Sequence, residues 1–488
     1  MSALRSIAID ARHRARRWDA IVLGSGVPAL VAAARIGLHG HRVLVVGEEA
    51  AAKLAAPLRE PFLLAGAQNG GALEATLREL KLPLIDRRRF QPDALAYQVV
   101  GPELRLDVGG LAHGADELVA WGLAKPEEAR ALVDALAQAG ELERQHLLAS
   151  PVVRSGGLRA LARGAAPAPA TAPRGARGLP PEVANAPAAL GRVFAAQVRA
   201  LAGHASGGPS GEACARVLGD AQAGGACVEP GSPGLLDVLR RRVESLYGEL
   251  RSVRGAAFEL VNANGLPGLA LRESGEVWLG KALVVAVSPS ALAAAIAADA
   301  ASRAGGRADD ASAAAPIARA LGARAPGAAR RLVLHYRAPA AGLPEGMGAR
   351  VVLLTRPDAK DPQDGVASLA VHAPGPRAER VDLVVRTLPA ADETPADAAA
   401  RVEAALRELM PFAAAGLERV RTELPRWDDD EWLEELPAGG TWPAEAELRV
   451  SSRPPVYRLD RPALAGLGLE GDLVLGWRSG DAIAADLA

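Results

Sequence analysis

Short apolar runs and amphipathic stretches alternate along the chain, and their periods predict its elements. Ile21-Val22-Leu23 reads as a strand, Leu30 to Leu38 as an Ala-rich helix, and Arg42-Val43-Leu44-Val45-Val46 as a second buried strand. Strand, turn, helix, turn and strand fit within about 30 residues, the spacing of a right-handed βαβ crossover. Leu73, Leu77 and Leu80 mark one face of a helix over 72–82, and residues 94–108 predict a hairpin about Gly101-Pro102. Residues 115–147 read as helical with a break near Lys125-Pro126. Leu235, Leu239, Val243 and Leu246 recur at three and four residues, the mark of an amphipathic helix. Strands are expected at 256–262, 269–272, 277–279 and 283–287, and four more at 331–336, 350–355, 367–372 and 381–387. A helix is expected at 395–410. The C-terminus reads as a strand at 473–475 running into a short helix at 482–487. The Gly-rich stretch 203–233 reads as loop, and 164–181 and 300–328 read as low-complexity connections.

Composition narrows the classes. The 488 residues carry 56 Lys+Arg against 57 Asp+Glu, a net charge of −1, which argues against a dedicated nucleic-acid binder. Two cysteines build no disulfide framework, and with 49% hydrophobic residues the chain can bury a sizeable core without staples. Aromatics are only 3%, so that core is aliphatic and small. The best membrane-span candidate, 282–298, is interrupted by Ser288, Pro289 and Ser290 and falls short of the roughly 18 apolar residues a span needs. Residues 1–17 hold five arginines and no apolar core, so they read as a basic arm rather than a secretory signal. Cytoplasmic residence is the resulting expectation.

The chemistry-bearing motif is Gly24-x-Gly26-x-x-Ala29, directly after a strand and opening a helix. The first glycine makes the tight turn, and the second lets backbone approach a pyrophosphate. The third small residue allows close helix–sheet packing, and the helix N-terminus offers free N–H groups and partial positive charge. Ser25 and Pro28 lie within the same turn. An acid that binds the ribose belongs at the end of the second strand; counting from Gly24, that position is Gly47, with Glu48 next. Glu48 reaches the ribose hydroxyls if the strand end bulges; alternatively Glu48 and Glu49 solvate a turn. The eight histidines show no metal spacing, Cys214 and Cys227 are 13 apart with no CxxC, and no nucleophile elbow or Walker loop is present, so no metal site is expected. The run Trp427-Asp428-Asp429-Asp430-Glu431-Trp432 reads as a solvated helix start, or else as a lid or partner surface anchored by Trp427, Trp432 and Trp442.

Three blocks together resemble the phytoene desaturase and amine-oxidase group of FAD-dependent oxidoreductases: 19–47, 234–289, and 471–488. The resemblance implies FAD as cofactor. It implies an adenine contact from strand backbone near Phe258, and a C-terminal glycine, Gly476, against the ribityl chain and pyrophosphate. It also implies an α/β fold: a doubly wound Rossmann-like FAD/NAD(P)-binding domain (18–90, 231–300 and 456–488) with an inserted α+β substrate domain (91–230 and 301–455). The reaction implied is hydride transfer from an apolar small-molecule substrate to the flavin, with peripheral membrane contact as one route to that substrate. No side chain stands out as a catalytic acid or base. The chain departs from the group at three places: Gly47 stands where an acid is usual, 50–61 lacks the Gly-Gly-Arg-type turn, and the loop after Gly476 is short. These departures keep a second reading open, a member that retains the fold without the chemistry and acts as a binding or accessory protein. A nicotinamide-dependent dehydrogenase is disfavoured, because the second and third blocks do not belong to a simple dinucleotide domain.

Overall fold

In the computed structural model, the structure describes residues 4–8, 14–67, 70–150, 152–154, 178–204, 210–228, 232–288, 291–297, 329–356, 359, 361, 364–375, 377–428, 431–433, 446–459 and 461–488. The two low-complexity connections therefore lie largely or wholly outside the described residues, as do Asp429, Asp430 and Trp442.

Two large sheets organise the chain. The first runs in the order Arg5–Ser6, Phe258–Ala263, Leu266–Leu271, Glu276–Val285, Arg14–Leu23, Val43–Glu48, Glu249–Val253, with Pro455–Arg458 also on Glu276–Val285 and Arg449–Ser452 beside it. Its centre is parallel: Glu276–Val285 pairs Arg14–Leu23, which pairs Val43–Glu48, which pairs Glu249–Val253. Successive side chains on a strand point to opposite faces. Accordingly Ala20, Val22, Val43, Val45, Ala282 and Val284 pack under the helices Val27–Leu38 (α1), Leu235–Ser245 and Leu469–Leu487. Ile21, Leu23, Leu44, Val46, Leu283 and Val285 face the other way, toward Phe258, Leu292 and Trp427. Burial on both faces explains why these strands read as unbroken apolar runs.

The second sheet orders Glu418–Val420, Leu332–Pro339, Arg380–Thr387, Val366–His372, Arg350–Leu354, Tyr97–Gly101, Leu104–Val108. It is antiparallel except where Arg350–Leu354 meets Tyr97–Gly101. The helix Pro395–Leu409 covers one face through Val402 and Leu406. The helices Pro126–Ala149, Ala188–Leu201 and Gly211–Gln222 cover the other through Leu136, Leu190 and Leu218.

Four expectations are corrected. The strand expected at Ile21-Val22-Leu23 starts at Arg14, because Arg14–Arg17 pair with Glu276–Leu279; part of the expected basic arm is thus sheet, as is Arg5–Ser6 beside Val261–Asn262. The two strands expected at 277–279 and 283–287 are one, Glu276–Val285; Gly280 sits inside it because a Cβ there would lie 2.7 Å from the Ala282 carbonyl oxygen. Gly211–Gln222 is a helix and Gly225–Val228 a strand, inside the stretch read as loop. The C-terminal strand is absent: Leu469–Leu487 is one continuous helix, and Leu473-Val474-Leu475 is apolar because that turn is buried. Among the described residues no helix is long and apolar enough to cross a membrane.

Candidate functional site

The βαβ turn is built as its glycines demand. Gly24 has φ +124°, and a Cβ there would lie 3.0 Å from Val287 Cγ1. Gly26 precedes α1 without a side-chain cap, Pro28 lies in the first turn, and no acid of that turn neutralises the helix N-terminus. Ala29 is fully buried in α1. The turn therefore presents polar groups that need an anion.

The anion present is Asp428. Ser25 N–H donates to Asp428 Oδ1 (2.8 Å), the Ser25 hydroxyl donates to Asp428 Oδ2, and Glu48 N–H lies 3.4 Å from the same oxygen. Asp428 is buried. Burial raises its pKa above the ordinary carboxylate value; the Ser25 and Glu48 hydrogen bonds and the Arg240 charge work against that rise. Glu48 is buried too, and its Oε2 accepts from the backbone N–H of Arg426 (2.7 Å), Trp427 (3.0 Å) and Asp428 (3.5 Å). Burial raises its pKa, those three bonds oppose the rise, and the Asp428 charge adds to it. Trp427, 1% exposed, donates its indole N–H to the Gly255 carbonyl (3.0 Å) and meets Phe258 edge-on, centroids 5.9 Å apart. The acidic run is therefore not a helix start; its described part threads into the βαβ turn. Glu431 pairs with Arg386 and Leu433 N–H donates to the Ala329 carbonyl, which ties the far side of the run toward the second sheet.

Gly47 explains itself in the same frame. A Cβ there would lie 2.6 Å from Ser25 Oγ and 3.0 Å from Asp428 Oδ2, so the position expected to carry the ribose acid has no room for a side chain.

A cleft of 180 Å³ leads from Ser25, Gly26 and Val27 past Leu54, Leu58, Phe62, Leu63 and Leu236 to Gly468–Asp472. A second helix N-terminus, that of Leu469–Leu487, meets it there. Its first-turn acids are paired: Glu470 with Arg216, which also holds Asp220, and Asp472 with Arg461 through two bonds of 2.9 and 3.0 Å. Burial pushes Glu470 up to about 7 against the Arg216 charge. Glu60, also on the cleft, accepts from Leu235 N–H (3.3 Å) and is pushed by burial up to about 7.

Of the residues singled out in the sequence, Gly24, Ser25, Gly26, Glu48 and Phe258 converge around Trp427 and Asp428. Pro28 and Gly476 serve a different contact, and Ala29 is buried in α1. A Cβ on Gly476 would lie 2.6 Å from the Pro28 carbonyl oxygen and 2.8 Å from Val31 Cβ, so Gly476 lets the C-terminal helix cross α1 closely and does not line the cleft. Asp428, Arg240, Glu60 and Arg386 were not nominated. Only the Trp-flanked acidic run carried a signal for the first of them.

Residues 426–428 thus engage three features of this frame: the Ser25 N–H just before α1, the buried Glu48 carboxylate at the end of the adjacent strand, and the Gly255 carbonyl beside Phe258.

Among solved structures, the chain is similar to an oxidoreductase from Methanosarcina mazei at 15% identity and a TM-score of 0.53, over 95% of this chain and 99% of that one. It is similar to a putrescine oxidase variant from a redesign of cofactor binding at 14% identity and a TM-score of 0.51, over 97% of this chain and 100% of that one. No family model and no curated protein matches the chain. At these identities the likeness shows the fold: the doubly wound α/β architecture of these oxidoreductases, with an α+β sheet set into it.

Proposed function

We propose that the chain is a flavin-dependent oxidoreductase that takes FAD into this cleft and oxidises an apolar small molecule. The observation that carries the reading is the convergence of two helix N-termini, at Gly26 and Gly468, on one apolar-walled cleft at the end of a parallel sheet. Ser25 N–H and the α1 N-terminus would hold the pyrophosphate, Glu48 the ribose, and the Gly255–Phe258 segment the base. FAD, when bound, supplies a hydride acceptor, which is why the absence of a conspicuous acid–base pair does not count against the reading. Leu54, Leu58, Phe62 and Leu63 wall the cleft and would exclude water from an apolar substrate. Among the described residues Phe62 is the one aromatic on that lining, so a substrate amine framed by several aromatic side chains is disfavoured. The reading also keeps the substrate domain (91–230 and 301–455) as the source of specificity.

The alternative, a fold retained without its chemistry, is favoured by one observation: residues 426–428 sit where the nucleotide would. The test is the visible spectrum of the purified protein before and after incubation with FAD. Flavin bands that survive gel filtration support the oxidoreductase. No flavin on purification and no uptake on incubation overturn it.

A further inference from the structure

We propose that residues 426–428 are a ligand built into the chain, which competes with the nucleotide half of a cofactor for the same protein groups. The inference rests on the nucleotide reading of the βαβ turn and adds what controls access to it.

The contacts correspond in chemistry, group by group. A phosphate at this turn would accept from Ser25 N–H; the Asp428 carboxylate accepts from it now. Ribose hydroxyls would donate to Glu48; three successive backbone N–H groups donate to it now. An adenine would offer an N–H and an aromatic edge to the Gly255–Phe258 wall; the Trp427 indole does both. The backbone takes part as well as the side chains: the N–H groups of Arg426, Trp427 and Asp428 all converge on Glu48 Oε2.

The sequence around the turn is adapted to the occupant. Gly47 leaves the space that Ser25 Oγ and Asp428 Oδ2 fill. Arg240, on the cleft, has no hydrogen-bond partner or ion pair among the described residues, and its charge stabilises the ionised Asp428. If Asp428 leaves, Arg240 and Ser25 N–H remain as a cation and a donor for a phosphate. Glu431 and Leu433 hold the chain beyond the segment through Arg386 and the Ala329 carbonyl, so a displaced segment would stay tethered there; displacement would break the bonds of Arg330 to the Pro425 carbonyl and of Trp432 to the Arg426 carbonyl.

The experiment titrates the full chain with ADP by isothermal calorimetry, in wild type, Asp428→Ala and Trp427→Leu. Each substitution removes contacts from the competitor but none from the groups that would hold ADP. Asp428→Ala loses a charge-assisted hydrogen bond of the competitor, so ADP should bind that variant roughly tenfold or more tightly than wild type; Trp427→Leu loses a neutral one, so ADP should bind it roughly several-fold more tightly. Circular dichroism confirms that each variant is folded, and Asp428→Asn, which keeps the side-chain volume, replaces the alanine variant if that one is not. Equal ADP affinity in wild type and folded variants overturns the inference and leaves the cofactor reading standing. ADP binding by none of them overturns both.

Discussion

Gly476 separates a packing role from a cofactor role. The resemblance places this glycine against the flavin; the structure places it at the crossing of α1 and Leu469–Leu487. In an exposed helix, Gly→Ala adds about 0.5–1 kcal/mol of stability, because alanine has the better helix propensity. At Gly476 the added Cβ would lie 2.6 Å from the Pro28 carbonyl oxygen, 2.8 Å from Val31 Cβ and 3.0 Å from Pro28 Cα. The nearest of these atoms is α1 backbone, which cannot turn aside, so the helices must separate. Gly480, one turn on, is as tight, with a Cβ there 2.6 Å from Arg35 Cβ and 2.9 Å from the Ala32 carbonyl oxygen. Overpacking of this kind costs about 1–3 kcal/mol, more than the propensity gain, so Gly476→Ala should be about 1–2 kcal/mol less stable than wild type. Gly191 is the control: it lies in the helix Ala188–Leu201, a Cβ there meets nothing within 4 Å, and Gly191→Ala should be stabilised. The assay is the urea midpoint of both variants, with slope m checked for constancy. A Gly476→Ala midpoint equal to or above wild type would show that the two helices do not approach this closely.

Three further outcomes follow from buried charge. Burial raises Glu60 to about 7, so its contribution to stability is present below the ordinary carboxylate value and is lost as pH rises through 7. Wild type should therefore lose up to about 3 kcal/mol between pH 4.5 and 8 from this group, and Glu60→Gln should show a flatter profile of urea midpoints; an unchanged slope would contradict it. Arg216 is buried between Asp220 and Glu470, so Arg216→Met should cost about 3–5 kcal/mol by leaving two buried carboxylates without their cation, read as a lowered melting temperature. Burial pushes the Cys214 thiol up to about 11, so at pH 8 native Cys214 should alkylate slowly and react fast only in denaturant, followed by peptide mass spectrometry.

The parts of the fold written in local periodicity were legible. The βαβ unit, the 94–108 hairpin, the helix from Leu235 and the four strands expected between 331 and 387 announce themselves within a few residues, whereas the edge strand Glu418–Val420 does not. Elements whose composition misleads were not. Residues 473–476 of the C-terminal helix are buried and carry no polar side chain, so Leu473-Val474-Leu475 is indistinguishable from a short strand by pattern alone. The helix Gly211–Gln222 opens on glycine after a Gly-rich stretch, and only packing of Leu218 and Ala215 shows it to be an element. The site was half legible for a different reason. Gly24, Gly26 and Glu48 sit within one supersecondary unit, but the carboxylate that Ser25 holds comes from 403 positions away, and no local rule spans that separation. Gly47, read from the sequence as a missing acid, is instead the space an incoming acid needs.

The central claim, that residues 426–428 occupy the nucleotide half of the site, is tested most directly by amide hydrogen exchange on the ligand-free full chain. Ser25 N–H donates to Asp428, and the N–H groups of Arg426, Trp427 and Asp428 donate to Glu48. The account expects these four amides to exchange slowly and together, and Glu48→Ala to release the three of the segment. Fast exchange of Arg426–Asp428 in wild type, at the rate of an exposed loop, would contradict it.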